Sequence, residues 1–321
     1  MKIKLLDSLH ILLSNNVIGS KQYNSRYIGF RSELQTLQFL RERGKHLIEG
    51  AYLIPMKKHM ELFECPSVLF MVGSNNQISD YNDIFLQLSR IKFESMFFIS
   101  ISENTDEWVY DQIEGINEDV LIPQCTVYGF NEGTSKLEPM GVDLALISGK
   151  FRKIRRKPPL EEISEHIELK FKDQLRVFDV AELALLYTER FIFDGLIGFG
   201  SERGIPTDID GIVREENGYS LLEIKEKDVS KREPVGFGMD VRRIKQLKGI
   251  CRRTSMPLEV VIRQIKDQTS RDFMQYMRID FYDFYKQTNN TPEIEGGHGM
   301  RSEKSRNPTQ ICPFMHFSVF K

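Results

Sequence analysis

The chain has 321 residues, 40% of them hydrophobic and 28% charged, with a formal net charge of -2. This length allows one large domain or two modest ones, and the apolar content suffices for a packed core, which excludes a disordered chain. Near-neutral charge excludes a uniformly basic nucleic-acid binder, so any such contact has to come from local patches.

The opening MKIKLLDSLHILLSNN interrupts its apolar run at Asp7, Ser8 and His10, and lacks the long apolar core of a signal peptide. No stretch reaches the apolar length of a membrane span. The four cysteines, Cys65, Cys125, Cys251 and Cys312, form no CxxC pair and read as free thiols of a reducing compartment. A cytoplasmic protein without membrane association is expected.

Residues 29–44, GFRSELQTLQFLRERG, carry Phe30, Leu34, Leu37 and Leu40 at three- and four-residue steps, which predicts a helix with Gly44 as its C-cap. PSVLFMVGSNN reads as a buried strand and turn, DYNDIFLQLSRI as a helix, ESMFFISIS as a strand, DEWVYDQIE as a helix and GVDLALISG as a strand ending at a glycine turn. This alternation indicates an α/β layer. The basic stretch GKFRKIRRKPPLEE holds Lys150, Arg152, Lys153, Arg155, Arg156 and Lys157 before two prolines, and reads as a linker or exposed arm suited to phosphate contact. A boundary at 157/158 is therefore expected, with an N-terminal α/β region before it. Beyond it, VAELALLYTERFIFDGL reads as a helix with Leu183, Leu186 and Phe193 toward a core, and Glu182 and Glu189 two turns apart. TDIDGIVRE and YSLLEIKEK read as strands of a hairpin turning at Asn217-Gly218.

GMDVRRIKQLKGICRR reads as a helix with Val241, Ile244, Leu247 and Cys251 as its buried stripe and Arg242, Lys245, Lys248 and Arg252 on another face, available to a nucleic-acid backbone or to solvent. PLEVVIRQI reads as a core strand and SRDFMQYMRIDFYDFYKQ as a helix; residues 291–310 read as a loop, and CPFMHFSVF as a closing strand.

The hairpin carries the chemistry. Alternate strand residues share a face, so Glu223 and Lys225 point the same way, and the Asn-Gly turn sets Asp210 beside Glu223. Two carboxylates so placed repel, and a hard divalent cation resolves that repulsion. The Ile224 carbonyl is a further oxygen donor. Mg2+, with Mn2+ as a substitute, would activate water beside a phosphodiester, and Lys225 would orient that water or offset phosphate charge. A second set of the same type is Asp143 with Glu168-Leu169-Lys170, with Glu33 upstream on the first predicted helix. Neither a P-loop, a G-x-S-x-G elbow nor an H-E-x-x-H motif is present.

TDIDGIV followed by LLEIKEK resembles the core of the PD-(D/E)XK nuclease superfamily, which includes many restriction endonucleases; Ile209 stands where the motif has proline. The likeness is local. It implies a restriction-endonuclease-like core with a central mixed sheet flanked by helices, with Asp210, Glu223 and Lys225 as its catalytic set. It also implies an assisting acid on a preceding helix, Glu189 or Glu182. The implied activity is magnesium-dependent cleavage of double-stranded DNA by a homodimer of restriction type. A partner-activated defence or repair nuclease and a non-catalytic DNA-binding protein of the same fold remain as alternatives.

Overall fold

Gly44 follows a long helix with a φ of +75, in the left-handed region that favours glycine, and the backbone amides of Gly44 and Lys45 close that helix on Arg41 and Leu40. The computed structural model describes residues 1–17, 19–57, 60, 62–74, 78–102, 104–149, 162–197, 206–231, 233–298 and 306–320. Helices α1 (Lys2–Ser14) and α2 (Ser20–Glu42) come first. Strands β1 (His46–Ile48), β2 (Ala51–Pro55) and β3 (Ser67–Ser74), helix α3 (Ile78–Leu88) and strands β4 (Ser95–Ile101), β5 (Val109–Asp111), β6 (Val120–Ile122), β7 (Cys125–Asn131) and β8 (Lys136–Pro139) follow. Helices α4 (Leu144–Gly149), α5 (Glu165–Leu175) and α6 (Val180–Arg190) precede β9 (Thr207–Ile209), β10 (Gly211–Glu215), β11 (Gly218–Lys227) and β12 (Gly236–Asp240). The chain continues through α7 (Val241–Thr254), β13 (Leu258–Ile265), β14 (Phe273–Asp280), α8 (Phe281–Thr288), β15 (Ile294–His298), β16 (Arg306–Pro313) and β17 (Ser318–Val319).

The contacts divide the chain into two compact units, Met1–Arg31 with Glu49–Asp208 and Ser32–Ile48 with Ile209–Lys321. The boundary expected at 157/158 does not coincide with this division, in which Ser32–Ile48 groups with Ile209–Lys321 and β1 pairs with β10. Residues 150–161, which carry that expected boundary, lie outside the described residues.

In the first unit, strands run in the order β8-β7-β4-β3-β2-β9, with β3 and β4 parallel. Its interior holds a buried ion pair: Arg26 Nη2 donates to both Asp194 carboxylate oxygens at 2.7 and 2.9 Å. Helix α6 continues as a π-helical segment, Phe191–Ile197, and Leu183, Leu186 and Phe193 are buried as expected.

The second unit contains a mixed sheet in the order β1-β10-β11-β13-β14-β17. Strands β10 and β11 form an antiparallel hairpin with Gly211 opposite Leu222 and Glu215 opposite Gly218. Strand β11 then runs parallel to β13, the connection between them including α7. Leu222 and Ile224 bury one face of β11 against Leu40 of α2, with Val213, Val261, Tyr276 and Phe320, while Glu223 between them faces α7. The sheet is thus flanked by helices on both faces. A separate three-stranded sheet has the order β12-β16-β15. Among the described residues no helix is long and apolar enough to cross a membrane.

Several local expectations are corrected. DEWVYDQIE holds a short 3-10 turn, Thr105–Glu107, and then β5, because the Asn104 side chain caps the turn and Val109 and Tyr110 enter a ladder with β6. GVDLALISG contains α4 rather than a strand; its Leu-Ala-Leu run favours helix, and the Asp143 carbonyl accepts from the Ile147 amide at 3.3 Å. SRDFMQYMRIDFYDFYKQ splits at Asp280, whose carboxylate caps α8 through the amides of Tyr282 and Asp283, while its first half pairs with β13 as β14. GMDVRRIKQLKGICRR likewise splits at Asp240, the N-cap of α7, and Ile250 rather than Cys251 completes the buried stripe. The 291–310 loop contains β15 and the start of β16, which pairs with β12, and CPFMHFSVF is interrupted by the 3-10 turn Phe314–His316.

Leu222 is 1% exposed at the centre of the α2-facing core. Leu222→Ala is expected to lower unfolding free energy by about 2–5 kcal/mol, read as a shifted urea midpoint by circular dichroism.

Candidate functional site

The expected strand TDIDGIVRE is in fact two strands, β9 and β10, separated at Asp210. The break gives that carboxylate its position. Ladder pairing of β10 with β11 ends at Gly211 and Leu222, and Asp210 Oδ2 accepts the Ile224 backbone amide at 2.6 Å, taking the place of the next backbone partner. Gly211 permits tight packing here: a Cβ on it would lie 3.2 Å from Leu37 and 3.3 Å from Leu222.

Asp210, Glu223 and Lys225 come together as expected. Lys225 Nζ lies 2.9 Å from Glu223 Oε1 and 3.6 Å from Asp210 Oδ2. The two carboxylates are 2% and 0% exposed, whereas Lys225 is 34% exposed and reaches solvent. Amide and carbonyl of one strand residue lie on the same edge of the strand, so the Ile224 carbonyl is on the edge whose amide Asp210 accepts. The donor set is therefore all oxygen: two carboxylates and one carbonyl, which suits Mg2+ bound through one or two carboxylates and several waters. Among the described residues no group of three or more His, Cys, Asp or Glu side chains converges.

A fourth residue completes the cluster, and sequence reasoning missed it. Arg243, in the first turn of α7, donates from Nε to both Glu223 oxygens at 3.0 Å, donates from Nη2 to Glu223 Oε2, and approaches Asp210 Oδ1 at 3.9 Å. The Asp240 cap starts α7 here, and the Val241, Ile244 and Leu247 stripe fixes its rotation. Two buried carboxylates beside one lysine require a second positive charge, and that was the available signal. Further along the same face of β11, burial pushes the Lys227 ammonium down from its ordinary range, as does the Lys225 charge, with Asp228 and Asp240 opposing. On the opposite face, Glu226 is held by Arg263 and Arg271 at 2.7 and 2.5 Å, fixing the end of the strand.

The remaining expected residues have other settings. Glu189 belongs to the first unit, where it accepts a hydrogen bond from Tyr52 Oη at 3.3 Å. Burial raises its carboxyl to about 7, against the opposing pull of Arg190 and with Glu49 and Asp208 adding to the rise. Glu182 is the third residue of α6 and forms a reciprocal capping box with Asp179. The rival set is not assembled as strands: Asp143 precedes α4, Glu168 and Lys170 lie on α5, and Glu168 pairs with Lys172 one turn on. Glu33 lies on α2. Lys245 and Lys248 are exposed on α7 with Arg242 half-buried beside them, and Lys248 also donates to Tyr285 Oη at 2.6 Å. Lys150, Arg152, Lys153, Arg155, Arg156 and Lys157 lie outside the described residues. The four cysteines are free thiols, as expected.

Comparison with protein-family models, curated proteins and solved structures gives no match to this chain.

The Glu189 carboxyl has a sign-defined consequence. Its folded-state value lies above its unfolded value of 4.5, so its contribution to stability is full below pH 4.5 and is lost as pH rises through about 7. Glu189→Gln is expected to flatten the fall of stability across that window and to gain on the order of 2 kcal/mol over the parent at pH 8. Urea midpoints of both proteins from pH 4 to pH 8 test this, and parallel profiles would refute it.

Proposed function

We propose that this protein is a magnesium-dependent endonuclease of the PD-(D/E)XK type that hydrolyses DNA phosphodiester bonds, most closely of the restriction class. The observation that carries this reading is the convergence of Asp210, Glu223 and Lys225 where the β10–β11 hairpin ends. The setting agrees with what the motif implies, a central mixed sheet with helices on both faces. Two nearly inaccessible carboxylates contribute little to stability compared with apolar residues of their size, so their burial side by side calls for a functional account.

Asp210, Glu223 and the Ile224 carbonyl would hold Mg2+, or Mn2+ in its place. The bound ion would supply charge for the phosphate and a lowered pKa for water. Asp210 keeps its orientation through the Ile224 amide, and its second oxygen lies on the side of Arg243. Lys225 stands between the carboxylates and solvent, where its ammonium orients an attacking water or offsets charge on the phosphate. Arg242, Lys245 and Lys248 on α7 would contact the DNA backbone and position the duplex without reading its bases. A homodimer would provide the two sites that a double-strand cut needs.

A second reading, a non-catalytic DNA-binding protein, is favoured by one observation: Lys225 and Arg243 together neutralise both carboxylates. Turnover separates the two readings. Purified protein incubated with mixed phage and plasmid DNA is expected to give discrete fragments with Mg2+ and none with EDTA. Glu223→Ala is expected to abolish cleavage while leaving DNA affinity within about threefold, since Glu223 is not assigned to phosphate contact, and Lys225→Ala is expected to abolish cleavage as well. Binding without turnover under every metal condition would favour the second reading.

Lys245→Ala combined with Lys248→Ala is expected to weaken binding of all duplex sequences alike and to reduce the salt-dependence slope by about two. Fluorescence anisotropy across a salt series measures it; an unchanged slope removes this face from the interface.

A further inference from the structure

Arg243 occupies the position that a shared cation would need. Its Nε and Nη2 take up both oxygens of Glu223, and Nη2 also approaches Asp210 Oδ1 at 3.9 Å. The guanidinium therefore lies on the side of Glu223 that faces Asp210. Arg243 is 13% exposed and the carboxylates are almost wholly enclosed, so solvent does little to screen these charges. Among the described residues, Lys225 and Arg243 both pair with these two carboxylates.

We infer that Arg243 serves as the internal counter-ion of the metal-free site, and that a divalent cation enters by displacing its guanidinium from Glu223. This rests on the metal-site reading above. A divalent ion added beside two cations that already pair with these carboxylates raises the local positive charge by two in a poorly screened place. The mobile cationic group is then repelled from the carboxylates and attracted to an incoming anion. Arg243 is partly exposed where Glu223 is wholly enclosed, and a guanidinium matches a phosphate bidentately as well as it matches a carboxylate. Cation entry and phosphate binding are thereby linked through one side chain. The metal-free carboxylates are held in register, and the released guanidinium becomes a phosphate ligand only once the site is loaded.

The test is Mn2+ binding to the DNA-free protein at pH 8, followed by electron paramagnetic resonance of the free ion, for the parent, Arg243→Met, Arg243→Lys and Glu223→Gln. Removing the competing guanidinium is expected to tighten Mn2+ binding in Arg243→Met on the order of tenfold, with Arg243→Lys between it and the parent. Glu223→Gln is expected to lose the site. Tighter binding in Arg243→Met, including binding seen only in that variant, supports the inference. Equal or weaker binding in a folded Arg243→Met, with parent binding that depends on Glu223, overturns the inference and leaves the metal-site reading standing. Absence of Glu223-dependent binding in both parent and Arg243→Met overturns both. Should Arg243→Met fail to fold, the parent alone decides. The Arg243 Nε–H resonance, assigned by its loss in Arg243→Lys, is expected to shift on Mg2+ titration. An unmoved resonance under saturating Glu223-dependent binding refutes displacement.

Discussion

Two buried carboxylates at the end of one hairpin are the constraint on which the second unit is organised. Glu223 has no access to water and Asp210 almost none, so each must find its positive charge and hydrogen-bond donors inside the protein. The Ile224 amide supplies one donor, Lys225 from the same strand supplies charge, and Arg243, twenty residues after Glu223 in the first turn of α7, supplies a second cation. Each depends on a different level of structure. The amide depends on the ladder ending at Gly211, the lysine on strand alternation, and the arginine on the Asp240 cap that sets where α7 begins. A shift of any of these by one residue would leave a charge enclosed without a partner.

The hairpin was legible in the sequence because its signals are local. Asn217-Gly218 fixes the turn, and the register then places residue 210 across from residue 223 by counting outward from Glu215 and Gly218. The Phe30 to Leu40 spacing and Gly44 were legible for the same reason, although α2 begins earlier, at Ser20. What failed was the assignment of segments whose patterns serve both periods. FMQYMRID and LALISG each carry apolar residues compatible with strand or helix, and pairing with β13 settled the first while helix-forming leucine and alanine settled the second. The 291–310 stretch is rich in turn-forming residues, yet it is ordered in part by pairing with β12, a partner from far back in the chain.

Candidate residues followed the same rule. Asp210, Glu223 and Lys225 were found because two strands joined by a tight turn convert sequence spacing into distance. Arg243 was hidden because α7 carries Arg242 and Arg243 side by side, and only the packing of its apolar stripe decides which of them turns toward β11. Glu182 and Glu189 share a helix face, but one is consumed by a capping box and the other is enclosed beside Tyr52 in the first unit. Periodicity reports the face of a helix, not what covers it.

The pairing of β1 with β10 sets Ile48 opposite Ile212, so the segment between them leaves and re-enters one sheet at neighbouring positions. During synthesis, β1 emerges long before its partner, and its hydrogen-bonding edge waits while the whole of residues 49–208 is made. Closing so long a loop costs only slightly more than closing a shorter one, because the entropy grows with the logarithm of length. The delay is therefore kinetic rather than thermodynamic. A nascent chain would complete the surroundings of Glu223 among its last acts of folding, and would pass through its earlier stages with that chemistry unassembled.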